Sequence, residues 1–211
     1  MTAEFRYVDE SHEYFLGDRK LISVTEVLSG MGLVDLRSVP KEKLERAQKF
    51  GKALHYATAL DDLGKLDENS ITDEILRNHL RSWRLFKKEN GYSFEQNEIE
   101  QIMYHPAYLF AGTPDRFQVQ GKELHIIDIK TSTTMYDSTA LQVGGYELLI
   151  LALLKTFNPR KVVRLGVQTG DDGFYNKEVY KEITDKTVFL GYFNAYKWEL
   201  SHNIRREWRV K

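Results

Sequence analysis

Two carboxylates and one amine in the middle of the chain are the groups that metal-dependent hydrolysis of a phosphodiester requires. Asp115 follows Pro114, and Asp128 and Lys130 lie at the end of the hydrophobic run 124–130. The run is rich in β-branched residues, which predicts a strand. Side chains two positions apart on a strand point to the same face, so Asp128 and Lys130 should project together. Because burial of charge is costly, the pair indicates a functional role.

A turn at Gln120-Gly121 should pair this strand with the preceding one, in which Asp115 lies late or at the end. The carboxylates of Asp115 and Asp128 would then converge and repel each other unless a cation lay between them. Mg²⁺ suits such a site, because it binds one or two carboxylates, water and phosphate oxygens. The cation would polarise the phosphate and help to generate hydroxide, and Lys130 would orient water or stabilise transition-state charge. The alternative is a structural ion pair between Asp128 and Lys130.

The composition is that of a globular protein without cysteine. The 211 residues suffice for one large domain, and the contents of 42% hydrophobic and 12% aromatic residues exclude a disordered chain. The lack of cysteine excludes disulfides, thiolate zinc sites and iron–sulfur clusters. No apolar run has membrane-spanning length, and residues 1–14 resemble neither a signal nor a transit peptide. We therefore expect a cytoplasmic protein without a membrane partner.

The net charge of −1 does not by itself indicate a nucleic-acid partner. Residues 205–211, however, are basic and include a tryptophan. They are either a solvated last helical turn, where cations suit the helix dipole, or a contact to phosphate.

The order of predicted elements indicates one α/β domain, with a mixed central β-sheet flanked by helices. Residues 1–30 should form a hairpin and a short helix, residues 40–180 the catalytic core, and residues 185–211 a C-terminal helix and basic tail. Helices are predicted after Pro40 and over residues 73–90, 138–154 and 185–206. Strands are predicted as a pair within residues 5–22 and over residues 94–103, 109–119, 124–130, 162–169 and 174–179.

The motif Pro114-Asp115 followed by Asp128-Ile129-Lys130 resembles the signature of the PD-(D/E)xK nuclease superfamily, in particular its RecB-like and phage-type exonuclease branch. Further motifs agree with that branch in type and order. They are the helix motif from Gly51 to His55, the acidic Glu100, the motif from Gln142 to Tyr146, and the opening Ser23-Val24-Thr25. The resemblance covers roughly residues 14–170.

The resemblance implies a restriction-endonuclease-like core and a metal site. Asp115, Asp128, the carbonyl of Ile129 and His55 would hold Mg²⁺ or Mn²⁺, and imidazole favours Mn²⁺. Lys130 would position water, and Glu100 would be the additional acidic catalytic residue, with Glu98 as the alternative because alternation places both on one strand face.

The resemblance also implies contacts to DNA. Gln142 and Tyr146 lie one helical turn apart and would contact the substrate strand. Ser23 and Thr25 would bind phosphate through the amides of a helix start. Structural alternatives are a core histidine at position 55, satisfied core polar groups at Gln142 and Tyr146, and helix capping at Ser23, where Glu26 completes a capping box.

Three further residues or pairs are interpreted from the pattern alone. The pair Gly144-Gly145 costs helix stability and indicates close approach to the sheet or to nucleic acid. Arg116 should alternate to the face opposite Asp115 and is left out of the catalytic set. His105 is interpreted as a loop residue.

The expected activity is exonucleolytic hydrolysis of DNA ends in recombination, repair or phage replication. A structure-specific endonuclease or junction resolvase on the same fold is an alternative, and a non-catalytic DNA-binding subunit is another. The expected partners are DNA and a single-strand-annealing or single-strand-binding protein, in the host cytoplasm if the chain is phage-encoded. Strand polarity, preference for single or double strands and oligomeric state stay open.

Overall fold

The described residues form two β-sheets and five α-helices, an α/β architecture. The computed structural model describes residues 3–34, 37, 39–132 and 134–204. The strands are β1 (Phe5–Val8), β2 (Glu13–Leu16), β3 (Arg19–Ser23), β4 (Met103–Tyr104), β5 (Phe110–Gly112), β6 (Arg116–Gln120), β7 (Glu123–Lys130), β8 (Lys161–Thr169) and β9 (Tyr175–Tyr180). The helices are α1 (Val24–Gly30), α2 (Lys41–Asp62), α3 (Glu74–Asn90), α4 (Ser138–Leu154) and α5 (Asp185–Ser201).

Both sheets are mixed, but they are separate. The first has the order β1-β2-β3-β5-β4, and only β3 and β5 are parallel. The second has the order β6-β7-β8-β9, and only β7 and β8 are parallel. The prediction of one central sheet is wrong in this respect, because the chain leaves the first sheet after Gly112 and enters the second at Arg116.

Three strand predictions are corrected. The predicted strand 109–119 is divided into β5 and β6, and Pro114, which has no N–H to donate to a ladder, lies in the break. The predicted strand 94–103 is replaced by a turn of 3₁₀ helix at Gln96–Glu98 and the short β4. The predicted N-terminal strand pair is a meander of three strands.

The second sheet is covered by helices on both faces, which explains the continuous hydrophobic run in β7. Leu124 and Ile126 belong to the core cluster that includes Val143 of α4. Ile127 and Ile129 point the other way, into a cluster with Leu54 of α2 and with aromatic rings of α3. The end of β7 is therefore enclosed from two sides.

The helix predictions are confirmed, except at the C-terminal end of α5. Ser23 caps α1, its hydroxyl accepts the N–H of Glu26, and the Glu26 side chain returns to the Ser23 N–H. Helix α3 ends at Gly91, which has the left-handed φ of 70° typical of a helix terminus. Helix α5 ends at Ser201, and the basic residues 205–211 lie outside the described part of the chain.

The glycine pair of α4 does allow close approach, but to α5 and not to the sheet or nucleic acid. A Cβ on Gly144 would lie 2.9 Å from the backbone nitrogen of Lys186, and one on Gly145 would lie 3.0 Å from the ring of Phe189. None of the helices formed by the described residues is long and apolar enough to cross a membrane.

Candidate functional site

The antiparallel pairing of β6 and β7 brings Asp115 and Asp128 together. The register pairs Arg116 with Ile127, so the next position sets Asp115 opposite Asp128. Asp115 Oδ2 accepts a hydrogen bond of 2.6 Å from the backbone N–H of Ile129. Both carboxylates are buried. The predicted convergence across the Gln120-Gly121 turn is confirmed.

His55 and Glu100 add two side chains to this pair. His55 Nδ1 lies 3.5 Å from Asp115 Oδ1 and 3.6 Å from Glu100 Oε1. Glu100 has a φ of 44°, a backbone conformation that is unusual for a residue with a side chain, and its N–H donates to the carbonyl of Asp115. This turn aims the Glu100 carboxylate at the imidazole.

Glu98 does not share the position of Glu100, and the prediction of one common strand face is wrong. Its side chain accepts the N–H of Glu95 and an N–H of Gln118 instead. Of the two acidic candidates, the structure brings only Glu100 to the cluster.

Lys130 projects beside Asp128, as predicted. Its Nζ lies 2.8 Å from Asp128 Oδ2 as an ion pair, and it donates a hydrogen bond of 2.9 Å to Gln142 Oε1. Gln142 Nε2 in turn donates to the hydroxyl of Tyr146 at 3.0 Å. Tyr146 is only 4% exposed, so Gln142 stands between its hydroxyl and Lys130. The predicted contact of these residues with DNA stays a prediction.

The charges of the cluster shift one another's pKa values. Burial alone would lower the pKa of His55, but Asp115 and Glu100 outweigh it and raise the pKa to about 9. Burial raises the pKa of Asp115 to about 6, with Asp128 acting in the same direction. Burial opposes ionisation of Lys130, but Asp128 and Asp115 raise its pKa. A protonated imidazole and an ammonium therefore offset the carboxylates at neutral pH.

The donor atoms have the chemistry that Mg²⁺ or Mn²⁺ binds, namely carboxylate oxygens and one imidazole. Glu100 Oε1 and Asp128 Oδ2 are buried and accept no hydrogen bond, but each has a cationic neighbour, His55 at 3.6 Å and Lys130 at 2.8 Å respectively. Both oxygens are of the type that binds a divalent cation. As the side chains stand, no group of three or more His, Cys, Asp or Glu residues in the described part of the chain could hold a metal ion. The residues are thus of the types that bind a divalent cation, and binding of the cation would require Asp115 and Asp128 to leave their ion pairs with His55 and Lys130.

Arg116 supports the cluster from behind, a role that the sequence interpretation missed. Its side chain has no exposed surface and donates to Asp62 Oδ2 at 2.7 Å, to the Asp115 carbonyl at 2.6 Å and to Thr58 Oγ1 at 3.1 Å. It also lies 3.8 Å from Glu100 Oε1. The available signal was the spacing of His55, Thr58 and Asp62, which places three polar residues on one side of α2.

A cleft of about 560 Å³ opens beside Lys130 and Gln142. Its other wall comes from β2, β3 and α1 and includes Lys20, Ser23 and Thr25. Ser23 Oγ is already engaged by the N–H of Glu26, which confirms helix capping. Thr25 is exposed, and the predicted contact of Ser23 and Thr25 with phosphate stays a prediction.

No protein-family model and no curated protein matches the chain, so the functional interpretation depends on this geometry and on the sequence motifs.

Proposed function

We propose that the protein is a metal-dependent deoxyribonuclease of the PD-(D/E)xK type, with a restriction-endonuclease-like core around the second sheet. One observation carries the proposal. His55, Glu100, Asp115, Asp128 and Lys130 come from four separate segments of the chain and converge at one end of β7. Chance ion pairing does not account for two buried carboxylates on adjacent strands beside a histidine and a lysine.

In this proposal Asp115, Asp128, the Ile129 carbonyl and His55 would hold Mg²⁺ or Mn²⁺. The bound ion would polarise the scissile phosphate and lower the pKa of bound water. Glu100 lies across the imidazole from Asp115, where it can orient His55 or accept a proton from water.

Lys130 supplies the positive charge on the substrate side. Its ammonium is fixed by Asp128 on one side and Gln142 on the other. A fixed ammonium can hold the attacking water and stabilise negative charge on the phosphoryl oxygens of the transition state. Gln142 therefore positions Lys130, and Tyr146 positions Gln142.

The cleft beside Lys130 is the proposed path of one DNA strand, with Lys20, Lys130 and the hydroxyl of Thr25 along it. Glu13 and Glu26 also line the cleft, and Lys20 is paired with Glu13 at 2.6 Å, so a phosphate there would replace Glu13 as the partner of Lys20. The preference for DNA ends follows from the resemblance to the exonuclease branch. Recombination, repair and phage replication are the processes that use such an activity.

A non-catalytic DNA-binding protein is the second candidate. One observation favours it. Asp115 is paired with His55 and Asp128 with Lys130, and no group of three or more His, Cys, Asp or Glu residues in the described part of the chain is arranged to hold a metal ion. In that case the same cleft would bind DNA without hydrolysis.

The test incubates the purified protein with end-labelled linear duplex, linear single-stranded and covalently closed circular DNA in Mg²⁺, in Mn²⁺ or in chelator. We expect progressive loss of linear DNA with metal, and intact circles. Degradation of circles would instead indicate the endonuclease. Equal results with and without metal would rule out metal-dependent hydrolysis.

Two lysine variants make the test specific. Lys130→Ala should reduce hydrolysis by at least 100-fold, whereas Lys122→Ala, in the turn at the other end of β7, should not change it. Unchanged hydrolysis by Lys130→Ala would contradict the proposed role of the site.

A further inference from the structure

We propose that the exposed N-terminal half of α2 binds the phosphate backbone of duplex DNA and leads it to the candidate site. This inference rests on the proposed function, since it assigns a surface to the DNA substrate. It concerns Lys43, Arg46, Lys49 and Lys52, which we call the basic ridge.

The basic ridge follows from the spacing of its residues. The four cations recur every three positions, and the next position in the series is His55. Residues three apart are neighbours on a helix surface, and such a row runs obliquely around the helix axis. The row therefore ends at the histidine of the candidate site, whose side chain is 27% exposed.

Packing does not explain these residues. The buried residues of α2 are Leu54, Ala57 and Thr58, all in its C-terminal half. Residues 41–49 are exposed apart from the half-buried Leu44. The first half of the helix therefore projects from the protein.

Helix stability does not explain the excess of positive charge in this segment. Residues 41–52 contain five basic and two acidic side chains, a net charge of +3 in a chain of net charge −1. Cations near a helix N-terminus interact unfavourably with the macrodipole, and the N-cap residue, Pro40, supplies no side-chain cap. Lys41 and Lys43 in the first turn thus oppose helix stability, whereas Arg46 and Lys49 follow Glu42 and Glu45 at the i,i+4 spacing that stabilises a helix. The excess of three positive charges is what helix stability does not explain.

The cations are also available to a ligand. Among the described residues, Lys43, Arg46 and Lys49 have no ion pair, while Lys52 lies 3.4 Å from Asp9 in an exposed pair. Exposed pairs of this kind contribute little free energy because water screens them, so phosphate can replace Asp9.

The dimensions and chemistry fit duplex DNA. Lys43 and His55 are twelve residues apart, a rise of about 18 Å along the helix, and a duplex presents several phosphates over such a length. At about 100° per residue the row winds around the helix, so Lys43, Arg46 and Lys49 share one side and Lys52 lies opposite Lys43. Proteins that bind single strands use aromatic side chains to stack bases. The one aromatic residue between Lys43 and Lys52 is the half-buried Phe50, whose ring packs on His79, and the exposed Tyr56 lies beyond the ridge. The ridge therefore offers mainly positive charge, which is how proteins bind the phosphate backbone of a duplex.

The test compares Lys43→Ala/Arg46→Ala/Lys49→Ala with the matched triple variant Lys122→Ala/Lys155→Ala/Arg160→Ala. The three control residues are exposed. The candidate site lies at the end of the β7–β8 pair where Lys130 faces Gln168. The control residues lie around the other end, where Glu123 faces Lys161. Alanine favours helix, so the ridge variant should stay folded, and circular dichroism checks this.

Binding is measured in chelator, by fluorescence anisotropy of a labelled 30-base-pair blunt duplex and of a 30-nucleotide single strand, over a range of salt concentrations. The ridge variant should bind the duplex at least tenfold more weakly at about 0.1 M salt. The plot of log binding constant against log salt concentration should have a slope shallower by about 2 to 3 for the ridge variant, since each phosphate contact contributes about 0.9 to the slope. The control variant should resemble the wild type.

Wild-type duplex affinity in the ridge variant would overturn the inference, and so would an equal loss in both variants, which would show a general effect of charge. An equal loss on duplex and single strand would overturn the assignment to duplex DNA. Hydrolysis of linear DNA by the wild type is measured separately, so a failure of the ridge and a failure of the nuclease proposal give different results.

Discussion

Arg116 and Asp62 form an ion pair of 2.7 Å in which neither side chain has exposed surface. Asp62 also accepts the indole N–H of Trp83 and a hydrogen bond from Lys87. Arg116 in turn holds the carbonyl of Asp115. The pair therefore links the helical layer to the strand that carries the candidate catalytic carboxylate.

Asp62→Ala should lower the free energy of unfolding by about 3–5 kcal/mol, because it leaves the Arg116 charge buried without its partner. Urea denaturation measures this. Glu123→Ala, which breaks the exposed pair with Lys161, is the control and should have a much smaller effect, because solvent screens exposed pairs. Similar losses of unfolding free energy in both variants would show that the buried pair contributes no more to stability than the exposed one.

Two glycines should respond in opposite directions to alanine. Gly144→Ala places a Cβ against the backbone of Lys186 and should destabilise by about 1–3 kcal/mol. Gly191→Ala, in α5, meets nothing within 4 Å and should stabilise by about 1 kcal/mol, since alanine is the better helix former. Thermal unfolding would show a fall in Tm for the first and a rise of about 2–4 °C for the second. A fall in both would contradict the assigned packing.

Mn²⁺ should raise the Tm of the wild type, and His55→Ala should lose much of this increase. The reason is that an ion that binds only the native state stabilises it, by about 2.7 kcal/mol at one hundred times its Kd. Mg²⁺ should discriminate less between the two proteins, because it depends less on imidazole. An identical Mn²⁺ effect in His55→Ala would exclude His55 as a ligand.

His79 should make the protein less stable in mild acid. Burial lowers its pKa in spite of Asp171, Asp172 and Asp73, and its Nδ1 lies 2.8 Å from Thr169 Oγ1. The unfolded chain therefore binds this proton first, so the contribution is complete above about pH 6.5 and is lost as the pH falls towards the lowered pKa. His79→Gln should have a shallower fall in unfolding free energy between about pH 7 and 5. Parallel curves for the two proteins would contradict the prediction.

The parts of the fold that local pattern determines could be predicted from the sequence. The limits of α4 agree with the sequence prediction, since the segment is long and apolar on most sides. The β7 strand and its turn were also predictable, and with them the meeting of Asp115 and Asp128.

Contacts between distant segments could not be predicted in this way. Asp62 and Arg116 are 54 positions apart, and no local pattern indicates that an arginine will be fully buried. Glu98 and Glu100 have the spacing of a strand face, but a 3₁₀ turn and a left-handed backbone separate their directions. The division into two sheets likewise depends on packing that local periodicity does not contain.

The cleft beside Lys130 has walls of different origin. The first sheet and α1 supply Lys20, Ser23 and Thr25, whereas Lys130 and Gln142 come from β7 and α4. Substitutions in the N-terminal meander can therefore change which substrate fits while the register of β6 and β7, and so the spacing of the carboxylates, is preserved. In the proposed nuclease, selectivity and chemistry would thus be separable, and each could be altered by evolution or by design without rebuilding the other.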